Sequence, residues 1–314
     1  MNIKNDISVV VPVYNEQDNI IKFISRTVAI LTKCKLSYEI LFVLDPSSDQ
    51  SEKIINDQIK LNKNVKMIVM SRRFGQPSST MAGILNSNGK SCVIIDADLQ
   101  DPPELIEDMY AKFQEGFEVV LAKRISRKGE TFIKKILTKI GYRIINQASD
   151  INIPNDTGDF RLISRKIIDY LRQMNEPHNF LRGLVSYIGF KQCFIEYNRD
   201  SRHLGKSNYN PFFGSIRIAL NGLISFSSKP LYLMTGAGFF LSLFSFLLGF
   251  WYFIQKIIGV NLTPGLSTNV LLITFFSGIQ LLALGLIGEY VGRIYDQVKQ
   301  RPSYIIEKKI NFDE

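Results

Sequence analysis

Two aspartates separated by a single residue, Asp96 and Asp98, are the first candidates for chemistry in this sequence. They follow an apolar run and begin the segment 96–104, which reads Asp-Ala-Asp-Leu-Gln-Asp-Pro-Pro-Glu. Carboxylates at this spacing can place their oxygens near one hard cation, and Gln100 follows with no soft ligand close to it. Oxygen donors of this kind favour Mg²⁺ or Mn²⁺. The segment therefore predicts a divalent cation site.

The elements that must position these residues alternate regularly. Short β-rich runs lie at residues 7–11, 39–44, 66–70, 91–95 and 118–122, and helical stretches lie between them at 16–32, 49–61, 78–86 and 103–115. This alternation predicts an α/β fold with a mostly parallel sheet and helices on both faces. Ligands of such sheets bind where the strands end. Polar residues collect at those ends, at 12–16, Asp45, Asp96 and Asp98, which predicts an active site there.

The composition excludes several kinds of site. Three cysteines lie far apart without a CxxC pair, and only two histidines occur in the 314 residues. Neither a disulfide scaffold nor a zinc or histidine-rich metal centre is therefore expected. The phosphate loop GxxxxGK[ST] is also missing, so phosphates must be held by a metal and by basic side chains.

Two long apolar stretches, residues 231–254 and 270–291, indicate a membrane hairpin. At about 1.5 Å per residue, each is long enough as a helix to cross the roughly 30 Å hydrocarbon core. Basic residues flank the outer ends of the pair, which predicts that both termini are cytoplasmic. The N-terminus lacks a signal-peptide pattern, so the first domain is expected to be cytoplasmic as well. A buried helical hairpin of a soluble protein is the alternative.

Two further segments are expected to contact the bilayer. Residues 211–229 carry apolar side chains at helical spacing, which indicates an amphipathic interfacial helix or an ordinary surface helix. Residues 123–143 contain eight basic residues and one acidic residue. Such a run indicates attraction to anionic lipid or to a phosphorylated substrate, or else a solvated charged face.

Four motifs, at residues 10–16, 96–104, 157–162 and 288–295, resemble those of the polyprenyl-phosphate glycosyltransferases of glycosyltransferase family 2. This group includes dolichyl-phosphate mannose synthases and bacterial bactoprenol glucosyltransferases, and the resemblance covers nearly the whole chain. It implies a GT-A fold, which is Rossmann-like. The implied segments are a cytoplasmic catalytic domain at 1–210, an interfacial helix at 211–229, a transmembrane hairpin at 230–292 and a cytoplasmic C-terminal tail at 293–314.

The resemblance also implies which residues bind the nucleotide sugar. They are Pro12, Tyr14, Glu16, Val43, Asp45, Asp96, Ala97, Arg202 and Lys206. In this assignment Asp45 accepts a hydrogen bond from the base, and Asp98 and Gln100 hold Mg²⁺ or Mn²⁺ on the diphosphate.

Three residues are expected to act near the reacting groups. Arg124, together with Arg202, would stabilise the leaving diphosphate or the acceptor phosphate. Asp159 and Arg161 would lie where the donor sugar meets the lipid phosphate. A turn or helix-cap carboxylate remains the alternative for Asp159, and a surface ion pair remains the alternative for Arg161.

The sequence departs from the family pattern at three places. Pro46 replaces a glycine after the second strand, Gln76-Pro77 replaces Lys-Glu, and Asn208 replaces a basic residue. Proline fixes φ near −65° and removes a donor, so the loop beside the base must differ. Lys206 could compensate for Asn208. These changes bear on base and sugar identity more than on the reaction class.

The implied reaction moves one sugar from a nucleotide donor to a polyprenyl phosphate, at the cytoplasmic face of a bacterial inner membrane, for cell-surface glycan modification. A phosphate monoester has a second pKa near 6, so the acceptor is mostly ionised at neutral pH and needs no strong base. We therefore expect direct displacement with inversion, and an orienting role for Asp159. UDP-glucose and undecaprenyl phosphate are the favoured substrates.

Several alternatives remain open at this point. The sugar could instead be mannose, galactose, N-acetylhexosamine or aminoarabinose. The acceptor could be a hydroxyl, as in polysaccharide synthases, although two spans are too few for a translocation pore. The chain could also be a non-catalytic membrane subunit that binds lipid. No nucleic-acid partner is expected, and a homo-oligomer is left open.

Overall fold

The structure is a computed structural model of the chain, and the residues it describes are 3–125, 154, 157–174, 176, 180–198, 224, 227–259 and 265–312. In the first of these ranges strands and helices alternate. The elements are β1 (Asn5–Val13), α1 (Ile20–Lys33), β2 (Tyr38–Leu44), α2 (Ser51–Leu61), β3 (Val65–Met70), α3 (Gln76–Asn86), β4 (Gly89–Ile94), α4 (Leu105–Gln114) and β5 (Val119–Arg124). The strands and helices predicted for this part are confirmed, with their ends shifted by a few residues.

Three strands that the sequence analysis did not assign lie beyond residue 125. The described elements there are β6 (Thr157–Ser164), α5 (Arg165–Gln173), α6 (Leu181–Ile188), β7 (Gln192–Tyr197), α7 (Lys229–Ile257), α8 (Leu266–Val298) and β8 (Ile306–Ile310). β7 and β8 are short edge strands with several exposed polar side chains, so neither shows the apolar run of a buried strand.

The described strands form one mixed sheet in the order β7-β5-β6-β4-β1-β2-β3-β8. Pairing is parallel in β1–β2, β2–β3, β1–β4 and β5–β7, whereas β6 runs antiparallel to β4 and β5, and β8 antiparallel to β3. Six strands therefore end at one edge of the sheet, and β6 and β8 begin there. We call this the carboxyl edge. The mostly parallel α/β sheet is as predicted.

The central strands are buried on both faces. In β1, Val9 and Val11 pack into the core cluster under α1 and α4, and Val10 packs into the cluster under α3 and α5. Gly83 lets α3 approach the sheet closely, because a Cβ there would lie 2.3 Å from Cγ1 of Val10. This two-sided packing fixes the strand ends and the loops that follow them.

The two apolar helices, α7 and α8, lie outside this core. Their windows Lys229–Gln255 and Phe275–Val298 are long and apolar enough to cross a membrane, and no residue in either hydropathy window is buried. Both helices are longer than the expected spans at 231–254 and 270–291. Most of the predicted interfacial helix at 211–229 and most of the basic run at 123–143 lie outside the described residues.

The chain returns to the sheet after α8. In the β3–β8 pair, Ile306 lies opposite Met70 and Ile310 opposite Met67. Lys308 forms an ion pair of 2.6 Å with Glu52 of α2, which holds the strand from its exposed side. The segment 293–314, expected to be a tail, thus contributes the last strand of the main sheet. Its charged edge-strand composition hides this role in the sequence.

Candidate active site

The predicted site residues that the structure describes gather along the carboxyl edge. They are Pro12, Tyr14 and Glu16 at the end of β1, Asp45 after β2, Asp96, Asp98 and Gln100 after β4, Arg124 at the end of β5, and Asp159 and Arg161 at the start of β6. Two others are placed differently. Val43 and Ala97 are almost fully buried in the core clusters, so their side chains support the site from below. Arg202 and Lys206 lie outside the described residues, and their roles stay predictions.

Asp45 holds the loop that leads from β3 into α3. Its carboxylate accepts hydrogen bonds from the N–H of Gly75 (2.8 Å), the N–H of Phe74 (3.3 Å) and the hydroxyl of Ser79 (3.0 Å). Gly75 has a φ of +89°, which glycine adopts readily and other residues do not. The described contacts thus give Asp45 a loop-positioning role. Its predicted contact with the base stays a prediction.

Tyr14 is fixed by a residue that the sequence analysis did not single out. The guanidinium of Arg73 lies 3.9 Å from the centre of the Tyr14 ring, and its Nη1 donates to the hydroxyl at 3.1 Å. This cation–π contact orders an aromatic side chain beside the loop held by Asp45.

The Asp96–Asp98 turn is held from two sides. Gln76, which replaces the family's lysine, donates from Nε2 to Oδ1 of Asp96 at 2.8 Å. The N–H of Gln100 donates to Oδ1 of Asp98 at 3.1 Å. Leu99, which lies between Asp98 and Gln100, has a φ of +58°, and its buried side chain keeps this strained conformation in place.

The donors at this turn fit a hard divalent cation. All of the side-chain ligands on offer are oxygens. Within the described ranges, no three His, Cys, Asp or Glu side chains are grouped so that they could hold a metal ion. A cation here would therefore take further oxygens from a ligand, as Mg²⁺ does when it is bound by one or two carboxylates and substrate phosphates.

Arg124 is anchored by two side chains. Its Nε donates to the hydroxyl of Tyr197 at 3.2 Å, and its Nη2 lies 3.7 Å from Oδ2 of Asp101. The Tyr197 hydroxyl donates to Asp101 in turn. Burial and the charge of Asp101 raise the pKa of Tyr197 to about 12, so the hydroxyl keeps its proton. The guanidinium of Arg124 packs closely against Gly158, where a Cβ would be 2.7 Å from its Nη2.

Asp159 lies among three guanidinium groups, which we call the arginine cluster: Arg124, Arg161 and Arg182. Nε of Arg182 donates to Oδ1 of Asp159 at 2.8 Å, and Nη2 of Arg161 lies 4.0 Å from the same oxygen. Desolvation opposes ionisation of Asp159, but the three arginines outweigh it and lower its pKa to about 2. Asp159 is therefore ionised at neutral pH and is a poor proton acceptor. This favours the orienting role.

Arg161 is not the surface ion pair that the sequence left open. Its side chain is 2% exposed, and Nη2 donates to the carbonyl of Gly158 at 2.9 Å. Burial lowers its pKa to about 10, against the attraction of Asp159. The guanidinium still carries its charge at neutral pH, inside the protein and next to the carboxyl edge.

Sequence reasoning missed Arg182 and Tyr197 as site residues. Arg182 lies on α6, and Tyr197 is the last residue of β7. Neither belongs to a motif with Asp159 or Arg124, and only the folding of α6 and β7 against β5 and β6 brings them together.

Comparison with known proteins gives the family. The model of glycosyl transferase family 2 matches residues 8–172. The uncharacterized glycosyltransferase YkcC of Bacillus subtilis (strain 168) is 44% identical over 306 residues, which cover 98% of this chain and 94% of YkcC. The chain belongs to glycosyl transferase family 2. Its mixed α/β sheet fits the GT-A fold, and the enzyme class and fold expected from the sequence are confirmed.

Two further proteins are similar to this chain. The SfII prophage-derived bactoprenol glucosyl transferase of Shigella flexneri is 37% identical over 303 residues, which cover 96% of this chain and 97% of that protein. Among solved structures, glucosyl-3-phosphoglycerate synthase from Mycobacterium tuberculosis aligns with a TM-score of 0.46 at 16% identity, over 70% of this chain and 79% of that chain.

Proposed function

We propose that this glycosyltransferase transfers glucose from UDP-glucose to a polyprenyl phosphate, such as undecaprenyl phosphate, at the cytoplasmic face of a bacterial inner membrane. The observation that carries the proposal is the direction of the strands. The chain leaves β7 at Tyr197 on the carboxyl edge and continues to α7, and it returns from α8 into β8 at Ile306 on that same edge. The edge that holds the site is thus the edge tied to both apolar helices.

The return connection limits how far β8, the edge strand of the same sheet, can lie from the end of α8. Seven residues, 299–305, separate the end of α8 from the start of β8. A fully extended residue spans at most about 3.5 Å, so this connection reaches about 25 Å. With α7 and α8 in the membrane, the site faces the surface where the head group of a polyprenyl phosphate lies. Confinement beside its acceptor raises the acceptor's effective concentration.

The relatives support the choice of sugar and acceptor. The match to the Shigella flexneri bactoprenol glucosyl transferase extends along 96% of the chain, so it includes the apolar helices as well as the sheet. A bactoprenol glucosyl transferase of Shigella phage SfX is 36% identical over the same share of the chain. Mannose, galactose, N-acetylhexosamine and aminoarabinose are not favoured by these relatives.

In this proposal Asp98 and Gln100 hold a Mg²⁺ or Mn²⁺ ion, and Asp96, Pro12, Tyr14, Glu16 and Asp45 hold the nucleotide. The cation, when bound, offsets the charge that develops on the departing diphosphate. Arg124 adds a fixed positive charge at the same edge, since Asp101 and Tyr197 hold its guanidinium in place.

The transfer itself is a single displacement. An oxygen of the acceptor phosphate forms a bond to the anomeric carbon of glucose, and the bond from that carbon to the UDP oxygen breaks. The electron pair leaves with UDP, and the configuration at the carbon inverts. The acceptor is already ionised near neutral pH. Asp159, with its pKa of about 2, orients the arginine cluster and accepts no proton.

Purified enzyme in detergent, given labelled UDP-glucose, undecaprenyl phosphate and Mn²⁺, tests the proposal. We expect an organic-soluble product that releases glucose in mild acid. Asp98→Asn should abolish the product, whereas Asp57→Asn, at an exposed residue of α2, should leave it unchanged. The proposal is wrong if the folded enzyme labels no lipid from any common nucleotide sugar. Label on a glycan hydroxyl would point to the polysaccharide synthase class instead.

A further inference from the structure

We propose that Arg182 binds a phosphate group of one of the two substrates, with Asp159 as the residue that positions it. This inference rests on the proposed function and deepens it. Arg182 lies outside the family motifs at residues 10–16, 96–104, 157–162 and 288–295, and it enters the site only through α6.

The location of the arginine cluster suits a phosphate of the reaction. β4 and β6 pair side by side up to Ile94 and Arg161, which lie opposite each other. Asp96 follows Ile94 by two residues, and Asp159 precedes Arg161 by two. The cluster and the proposed cation turn are therefore on neighbouring strands of the carboxyl edge.

The cluster contains a buried donor without an acceptor. Among the described residues, Nε of the buried Arg161 has no hydrogen-bond partner. A buried charged group whose hydrogen bonds are incomplete is costly, and an oxyanion bound beside it would lower that cost.

Access distinguishes Arg182 from the other members of the cluster. The side chain of Asp159 is 38% exposed and that of Arg182 is 21% exposed, whereas that of Arg161 is 2% exposed. A ligand at the carboxyl edge can thus reach Arg182 directly. The guanidinium fork uses Nε for Asp159 at 2.8 Å, and its planar donors suit a phosphate as well as a carboxylate.

Two phosphates could occupy this position. One is the terminal monoester of the polyprenyl phosphate, and the other is the diphosphate of the nucleotide sugar. Both present the same oxyanion chemistry to a guanidinium. Kinetics with each substrate varied separately distinguish them.

The test compares Arg182→Gln and Arg182→Lys with the wild type in the full-length enzyme. Loss of a charged hydrogen bond is worth about 1.5–3 kcal/mol, so Arg182→Gln should raise one KM by about 10- to 100-fold and change the other by less than about threefold. Arg182→Lys should recover part of the loss. The control is Arg172→Gln, which removes an exposed arginine paired with Asp169 at 3.0 Å and should change neither KM.

The outcomes separate the two phosphates from a purely structural role. A raised KM for undecaprenyl phosphate assigns Arg182 to the acceptor, and a raised KM for UDP-glucose assigns it to the donor. Unchanged values of both KM, with only a lower kcat or melting temperature, overturn the inference. If Arg182→Gln does not fold, the double variant Asp159→Asn/Arg182→Gln removes both charges and is measured in the same way.

A binding measurement keeps this inference separate from the proposed function. Thermal shifts of the wild type with UDP and with farnesyl phosphate require no transfer. Loss of either shift in Arg182→Gln supports the inference even if no glucosyl lipid forms. Retention of both shifts overturns it, whatever the transfer assay gives.

Discussion

Gly158→Ala should inactivate the enzyme without unfolding it. The φ of Gly158 is not positive, so its backbone accepts alanine. The new Cβ would lie 2.7 Å from Nη2 of Arg124 and 3.3 Å from its Cζ. Non-bonded heavy atoms prefer about 3.5–4.0 Å, so the guanidinium must retreat by about 1 Å. It can do so because Nη2 is the end of a flexible side chain, and the protein fold need not adjust.

The size of the effect follows from that displacement. A reacting or stabilising group misplaced by about 1 Å can lose about 100-fold in rate. A factor of 100 corresponds to about 2.7 kcal/mol of transition-state stabilisation. We therefore expect the initial rate of glucosyl-lipid formation to fall by about two orders of magnitude. The melting temperature should change by only a few degrees.

A double-mutant cycle tests whether Arg124 carries this effect. In an Arg124→Gln background there is no guanidinium to displace, so adding Gly158→Ala should lower the residual rate by less than about threefold. Two results would refute the reasoning: a Gly158→Ala enzyme with full activity, or one whose defect is equally large in both backgrounds.

Four other outcomes are expected. Asp159→Asn should lower the rate of transfer but leave the acid limb of the pH–rate profile near the acceptor's pKa of about 6, because the pKa of Asp159 is about 2. A shift of that limb in the variant would mean that Asp159 acts as a base. The pKa of Asp159 is lower in the folded protein than its unfolded value of 3.8, so the stability that its ion pairs contribute is present above pH 3.8 and is lost as the pH falls towards 2. Acid unfolding of the wild type and of Asp159→Asn measures this difference. Gln100→Ala should raise the Mn²⁺ concentration needed for half-maximal activity severalfold, and an unchanged requirement would remove Gln100 from the cation site. Glu39→Gln should destabilise the fold by about 3–5 kcal/mol in urea unfolding, because it removes the negative charge 2.8 Å from the buried Lys66. Glu107→Gln, at the exposed pair with Lys33, should leave the stability nearly unchanged.

Much of the sheet could be predicted from the sequence because its strands are buried on both faces. Residues 9–11 of β1, for example, are three consecutive buried valines, and the alternation of such runs with helices is compatible with few other folds. The turn at Asp96 and Asp98 was also predictable, since its residues are neighbours in the chain. In these segments the local sequence alone is enough to predict which residues lie together in the structure.

The rest of the site depends on contacts between distant parts of the chain. Arg182 reaches Asp159 across 23 positions, and Tyr197 reaches Arg124 across 73. The contact of Asp45 with the base stays a prediction, whereas the sequence did not reveal that its carboxylate accepts two hydrogen bonds from the loop beyond β3 and one from Ser79 of α3. Such pairings cannot be predicted from local sequence, because each partner on its own is an ordinary polar or charged residue.

The return of the chain into β8 makes the order of synthesis matter. The ribosome must translate α7 and α8 before it can supply the strand that covers β3. Until then β3 exposes a row of unpaired backbone groups, which invites wrong partners. If the two helices have not inserted into a membrane when β8 is synthesised, their apolar side chains are exposed to water while the sheet is completed. In the proposed membrane arrangement, completion of the sheet therefore depends on the prior insertion of α7 and α8 into the bilayer.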